Sequence, residues 1–240
     1  VKIFIGLVIL AAVVFALRLG ELYTQLARYR VFWDNVNSKP VQSDELIYVA
    51  MGDSTAQGIG ASKPQKGYVG LVAKAVAEKY QKNVHTINLS RSGAKIADVL
   101  NRQLPAYQAL GITAPHIVTI EIGANDVTTF DPVKFETEMK RLMGKLPPQT
   151  VISDIPSFQG SRLAKYEAQV DQANKIMSRL AKKYAFELAG LHQNISANHG
   201  LRTFAADFFH PSDYGYKTNW APVFLERILE NNPPDQKRSD

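Results

Sequence analysis

Three short polar clusters, each placed just after an apolar run, hold the residue types needed to attack an acyl carbon. They are Gly52-Asp53-Ser54, Gly123-Ala124-Asn125-Asp126 and Asp207-Phe208-Phe209-His210-Pro211. Between them they supply a hydroxyl, an amide donor, an imidazole and a carboxylate, the inventory of nucleophilic catalysis. A free serine hydroxyl is a weak nucleophile and needs a base to take its proton. His210 is the candidate base, since a neutral imidazole suits that task near pH 7. Asp207 stands three residues earlier, where one turn of chain can bring its carboxylate to the other ring nitrogen. A tetrahedral intermediate also needs donors for its oxyanion. The candidates are the backbone N–H groups of Ser54 and Gly93 and the side-chain amide of Asn125, and loss of one such donor typically costs about 3–4 kcal/mol of transition-state stabilisation. Asp126 is assigned to holding its own loop.

These groups are far apart in sequence and need a scaffold that gathers them. The runs at 46–51, 84–89, 116–122, 150–155 and 186–191 read as five strands. Helical periodicity separates them: Val69, Val72, Val76; Ile96, Val99, Leu100; Phe135, Met139, Leu142; Val170, Ala173, Met177; and, last, Phe224 and Ile228. Strands alternating with helices predict a parallel sheet covered on both faces. Right-handed crossovers bring every strand's carboxyl end to one edge, where ligands of open sheets bind. Ser54, Gly93 and Asn125 follow strands one, two and three, and Asp207 and His210 follow strand five, so all can meet there.

The spaced residues Gly52-Asp53-Ser54, Gly93, Gly123-x-Asn125-Asp126 and Asp207-x-x-His210 resemble the SGNH hydrolases, also called GDSL lipases and esterases. The resemblance runs from about residue 46 to 229 with its blocks in the family order. It implies a flavodoxin-like three-layer α/β/α sandwich around a central five-stranded parallel sheet. It also implies a Ser–His–Asp triad with the three-donor oxyanion hole, and hydrolysis of carboxylic esters or thioesters through an acyl-serine, with neither cofactor nor metal. The substrate stays open, because the family spans lipids, acetylated sugars and thioesters. Three readings stand: an esterase of lipid or small acyl esters, a glycan O-acetyl esterase or O-acyltransferase of the cell envelope, and a catalytically silent binding module.

Composition narrows the classes further. The chain has 240 residues, 45% of them hydrophobic, enough for one sizeable α/β domain. It has no cysteine, so disulfides, a thiolate nucleophile and Cys-ligated zinc are excluded. The net charge of +6 favours anionic surfaces, yet no basic tract interleaved with aromatics argues for nucleic acid. His85, His116, His192 and His199 lack metal-ligand spacing. Ser92-x-x-Lys95 matches a penicillin-binding motif whose companion elements are missing.

The N-terminus carries the second signal. Residues 3–17 contain no polar side chain, and apolar character resumes at Leu19 and Leu22. A cleaved secretory signal and an uncleaved anchor both fit such a run. Arg18 and Glu21 occupy the place of a small-residue cleavage site, which favours the anchor, with Tyr23, Tyr29, Phe32 and Trp33 near the head groups. The expected organisation is therefore an anchor helix and juxtamembrane segment over 1–33, a linker over 34–45, the hydrolase domain over 46–230 and a polar tail over 231–240. Membrane attachment through a single helix, in a bacterial cell envelope, is the expected location. Side of the membrane and oligomeric state stay open.

Overall fold

The structure, a computed structural model, describes residues 2–113, 116–198 and 200–231. Five strands form one parallel sheet: β1 (Leu46–Gly52), β2 (Val84–Asn88), β3 (His116–Glu121), β4 (Val151–Ser153) and β5 (Glu187–Ala189). Their spatial order is β2-β1-β3-β4-β5, the flavodoxin-like order, with the switch point between β1 and β3. Register is set at the centre by Tyr48 against Ile117 and Ala50 against Thr119. β4 and β5 are three residues each, shorter than the apolar runs that predicted them.

Helices cover both faces, as side-chain alternation along β1 requires. Met51 joins one core with Ile96, Val99, Phe135, Met139, Val170 and Met177. Tyr48 and Ala50 join the other with Tyr68, Val72, Tyr216, Trp220 and Phe224. The elements supplying these faces are α1 (Lys2–Asn37), α2 (Ser54–Gln57), α3 (Tyr68–Tyr80), α4 (Ile96–Asp98), α5 (Leu104–Ala109), α6 (Pro132–Met143), α7 (Glu167–Tyr184), α8 (Leu191–Asn198), α9 (Asp213–Gly215) and α10 (Ala221–Asn231). A π-turn over Val99–Gln103 joins α4 to α5, so the helix expected across that stretch is not uniform. A second π-turn, Tyr216–Trp220, precedes α10 ahead of Pro222.

The main departure from the sequence reading lies at the N-terminus. The helix does not stop at residue 33; it continues unbroken to Asn37, inside the stretch expected to be linker. The cause is packing. Leu22, Tyr29 and Trp33 are buried against the domain. Tyr29 donates its hydroxyl hydrogen to the Ala61 carbonyl at 2.6 Å, and the Trp33 indole donates to the Gln57 carbonyl at 2.9 Å. Asn37 exchanges two hydrogen bonds with the Asn88 backbone at the end of β2. Residues 3–17, by contrast, touch little and leave their apolar side chains exposed. His199 and the expected tail beyond residue 231 lie outside the described residues.

Candidate active site

The site begins where β1 ends. Gly52 has φ +144°, and a Cβ there would sit 2.2 Å from the Glu121 carbonyl oxygen, so only glycine lets β1 turn sharply against β3. Asp53 caps the next turn, its carboxylate accepting the Thr55 N–H at 3.0 Å. Ser54 is therefore the first residue of α2, nearly buried at the rim of the sheet.

Its hydroxyl meets His210. Ser54 Oγ lies 2.9 Å from His210 Nε2, and His210 Nδ1 lies 2.6 Å from Asp207 Oδ2. The second oxygen of Asp207 accepts the backbone N–H groups of Phe209 and His210 at 3.1 and 3.0 Å. Burial pushes the Asp207 carboxyl upward. The hydrogen bond and charge of His210, with the two backbone donors, outweigh that and hold it below the usual carboxylate range. An ionised Asp207 fixes the imidazole with Nδ1 protonated and leaves Nε2 free to accept from serine. Phe209 packs edge-on to the His210 ring at 5.0 Å, and Phe158 packs edge-on to Phe209 at 6.0 Å. The stretch after β4 thus reaches the site through Phe158.

Gly93 and Asn125 come to the same edge. Gly93 adopts φ +77°, a left-handed conformation that suits glycine, with open space where a side chain would be. The loop is held by Gln57, whose side-chain oxygen accepts from the Ser92 N–H at 3.0 Å and the Ser92 hydroxyl at 2.5 Å. Asn125 Nδ2 stands 3.0 Å from the Ala94 carbonyl, next to Gly93, and 3.2 Å from Asp53 Oδ2. Both amide hydrogens are engaged in these loop contacts, so donation to a ligand requires one of them to be shared or redirected. Asp126 accepts the Ile96 N–H at 3.3 Å, the loop-holding part expected of it.

Three buried polar residues around this site were missed by the sequence reading. Gln103 clasps the Gly52 backbone on both sides, accepting from its N–H and donating to its carbonyl, each at 2.8 Å. The available signal was a polar residue on an otherwise apolar helical face. Glu121 ends β3 in full burial and accepts the Trp220 indole N–H at 3.0 Å. Burial, reinforced by the Asp53 charge, pushes its carboxyl well above the normal range. Asp53 itself is pushed up to about 6 by burial, against the Thr55 N–H and the His210 charge. A carboxylate inside an apolar strand was the signal for Glu121. Asn88 holds the two sides of the cleft together, donating to the Ala56 carbonyl at 2.8 Å and accepting from Ser90.

Such an arrangement can deprotonate a serine and orient the imidazole, as acyl transfer needs. The likenesses to known proteins point the same way. Residues 50–218 match the model of the GDSL-like lipase/acylhydrolase family. The fold is similar to a lipase/acylhydrolase from Enterococcus faecalis, with 19% identity, a TM-score of 0.64, and coverage of 80% of this chain and 99% of that one. It is similar to an α/β hydrolase from the metagenome of Lake Arreo, Spain, at 20% identity and TM-score 0.63, again covering 80% and 99%. An acetylxylan esterase from Geobacillus stearothermophilus shares 18% identity at TM-score 0.59, over 77% of this chain and 94% of its own. No curated protein matches by sequence. The chain belongs to the GDSL-like lipase/acylhydrolase family and is an ester-hydrolysing enzyme.

Proposed function

We propose that this enzyme hydrolyses carboxylic esters of lipids or small acyl groups through an acyl-serine intermediate, while attached to a membrane by α1. Ser54 attacks the acyl carbon as His210 Nε2 takes its proton, and Asp207 stabilises the resulting imidazolium. The oxyanion is met by the N–H groups of Ser54 and Gly93 and by the Asn125 amide, which releases one of its loop contacts. The imidazolium then protonates the departing alkoxide. Water, deprotonated by His210, attacks the acyl-serine and returns the hydroxyl to Ser54.

The observation that carries this reading is the unbroken relay from Ser54 Oγ to His210 to Asp207, at 2.9 and 2.6 Å. An intact relay argues against a silent binding module. Membrane attachment rests on the run 3–17, apolar throughout and exposed, in a helix long enough to cross a bilayer. The bacterial cell envelope is the compartment that suits such an enzyme.

The test is a panel of p-nitrophenyl esters of graded chain length, with wild type and Ser54→Ala. Turnover is expected from wild type and not from the variant. The likeness to an acetylxylan esterase supports a second reading, removal or transfer of acetyl groups on an envelope glycan. Strict preference for acetyl in the panel would favour it.

A further inference from the structure

Helix α1 does more than tether. Its last residue meets the carboxyl end of β2 through Asn37 and Asn88, so it joins the domain at the catalytic edge of the sheet. Followed back toward its N-terminus, it contacts the loops of that edge in turn. Trp33 bonds Gln57; Gln25 accepts the Gly60 N–H at 2.8 Å and donates to the Ala61 carbonyl at 3.1 Å. Leu22 packs on Ile59, with Leu19, Ala205 and Ala206 beside them. The ring of Phe15 then comes within 6.3 Å of the ring of Phe208. No linker intervenes between the apolar run and this docked part.

Phe208 is placed oddly for a core residue. It lies between Asp207 and Phe209 in the loop carrying His210, yet 46% of its surface is exposed. Its φ is +53°, a left-handed conformation that bulky side chains rarely adopt. The loop is pinned there by the Phe208 N–H to the Ala205 carbonyl at 3.0 Å and the Arg162 N–H to the Phe208 carbonyl at 3.2 Å. Held strain at an exposed aromatic beside a catalytic loop calls for a function. Phe15 stands two residues inside the end of the apolar run, which is about 3 Å along the helix axis. The tip of the His210 loop is therefore level with the outer edge of the segment read as hydrocarbon-spanning.

We infer that α1 is a rigid post holding the catalytic edge against the bilayer, with Phe208 seated in the lipid, so that the ester is taken from a membrane-resident amphiphile rather than from solution. This rests on the membrane attachment proposed above. The occupant of the exposed Phe15–Phe208 surface is lipid because the surface is continuous with the run 3–17, which has only apolar side chains to offer. Arg18 directly follows the run, at the level of the head groups.

The absence of cysteine makes the test direct. The chain 1–240 carrying Phe208→Cys, Lys183→Cys or Val8→Cys is spin-labelled and reconstituted in phosphatidylcholine–phosphatidylglycerol vesicles. Lys183 lies at the end of α7, on the opposite edge of the sheet. Labels at 8 and 208 are expected to relax with oxygen rather than with a water-soluble nickel complex, and the label at 183 the reverse. A lipidic label at 8 with an aqueous label at 208 overturns the inference and leaves the anchor standing; an aqueous label at 8 overturns both. A label at 208 shielded from both reagents means a protein covers it, which also overturns the inference. Should Phe208→Cys fail to fold, Phe208→Trp gives the same readout through quenching by chain-brominated lipids. Inserting about ten Gly/Ser residues between Arg18 and Leu19 frees the domain from its post. Hydrolysis of a soluble p-nitrophenyl ester is then expected to stay unchanged, while that of a vesicle-borne ester falls about tenfold or more. Equal rates on the vesicle ester before and after insertion contradict the inference while leaving the esterase reading intact.

Discussion

Asn125 and Asp53 share a hydrogen bond of 3.2 Å between Nδ2 and Oδ2, which ties the loop after β3 to the turn that carries Ser54. The amide is held by that carboxylate, which burial has pushed up to about 6, and by the Ala94 carbonyl at 3.0 Å. Asn125→Ala removes a donor without opening a core cavity, since the side chain is only half-buried. It is expected to lower kcat by about 10²–10³ with little change in Tm. Steady-state kinetics beside a thermal melt decides this; unchanged kcat removes Asn125 from the oxyanion hole.

The relay predicts an order of severity. His210→Ala deletes the base and is expected to abolish acylation. Asp207→Asn leaves a base whose tautomer is no longer enforced, and its loss is expected to be large, up to about 10⁴ in kcat, yet smaller than that of His210→Ala. Pre-steady-state acylation rates measure both. Small, equal effects contradict the assigned roles.

Gln103 supplies a test of support rather than chemistry. Both of its side-chain bonds go to the Gly52 backbone, where no water can replace them. Gln103→Ala leaves the buried Gly52 N–H unpaired, while the Gly52 carbonyl keeps the Arg91 N–H at 3.1 Å, and it is expected to destabilise the fold by roughly 1–3 kcal/mol in urea melts. A shift near zero shows that the turn does not depend on the clasp.

The buried acids set the pH dependence of stability. Burial pushes Asp53, Asp126 and Asp154 each up to about 6, against about 4 in an unfolded chain. Between those values the folded state holds more protons, so stability falls as pH rises from about 4 to about 6 and levels off for these groups above that. Glu121, held neutral further up, acts in the same direction. Asp207, held low, acts the other way, losing its contribution as pH falls below about 4. Tm is therefore expected to decline from about pH 4 to 6. Asp154→Asn keeps the acceptor for the His192 N–H and removes the ionisation, so it should flatten part of the decline. A Tm that climbs over this window in both proteins is inconsistent with these shifts.

Sequence patterns carried the sheet and the catalytic edge far. Apolar runs located all five strands, and the positions of Ser54, Asn125 and His210 after strands one, three and five placed them together before any coordinates. What they could not show was the second half of α1. Gln25 falls in the expected juxtamembrane segment and Asp34 and Asn37 in the expected linker, because a polar side chain that bonds a loop of the domain looks the same as one that bonds water. Gln103 and Glu121 were hidden for the same reason: their partners, the Gly52 backbone and the Trp220 indole, are 51 and 99 residues away. Periodicity reports which face is apolar; it does not report which polar group has found a buried partner.

The most direct test of the central claim is covalent. The protein is treated with a serine-directed fluorophosphonate, digested, and the modified peptide located by mass spectrometry. One adduct is expected, on Ser54, absent from Ser54→Ala and much slowed in His210→Ala. A wild type that takes no label, or a label that persists on another residue in Ser54→Ala, contradicts an acyl-serine mechanism at this site.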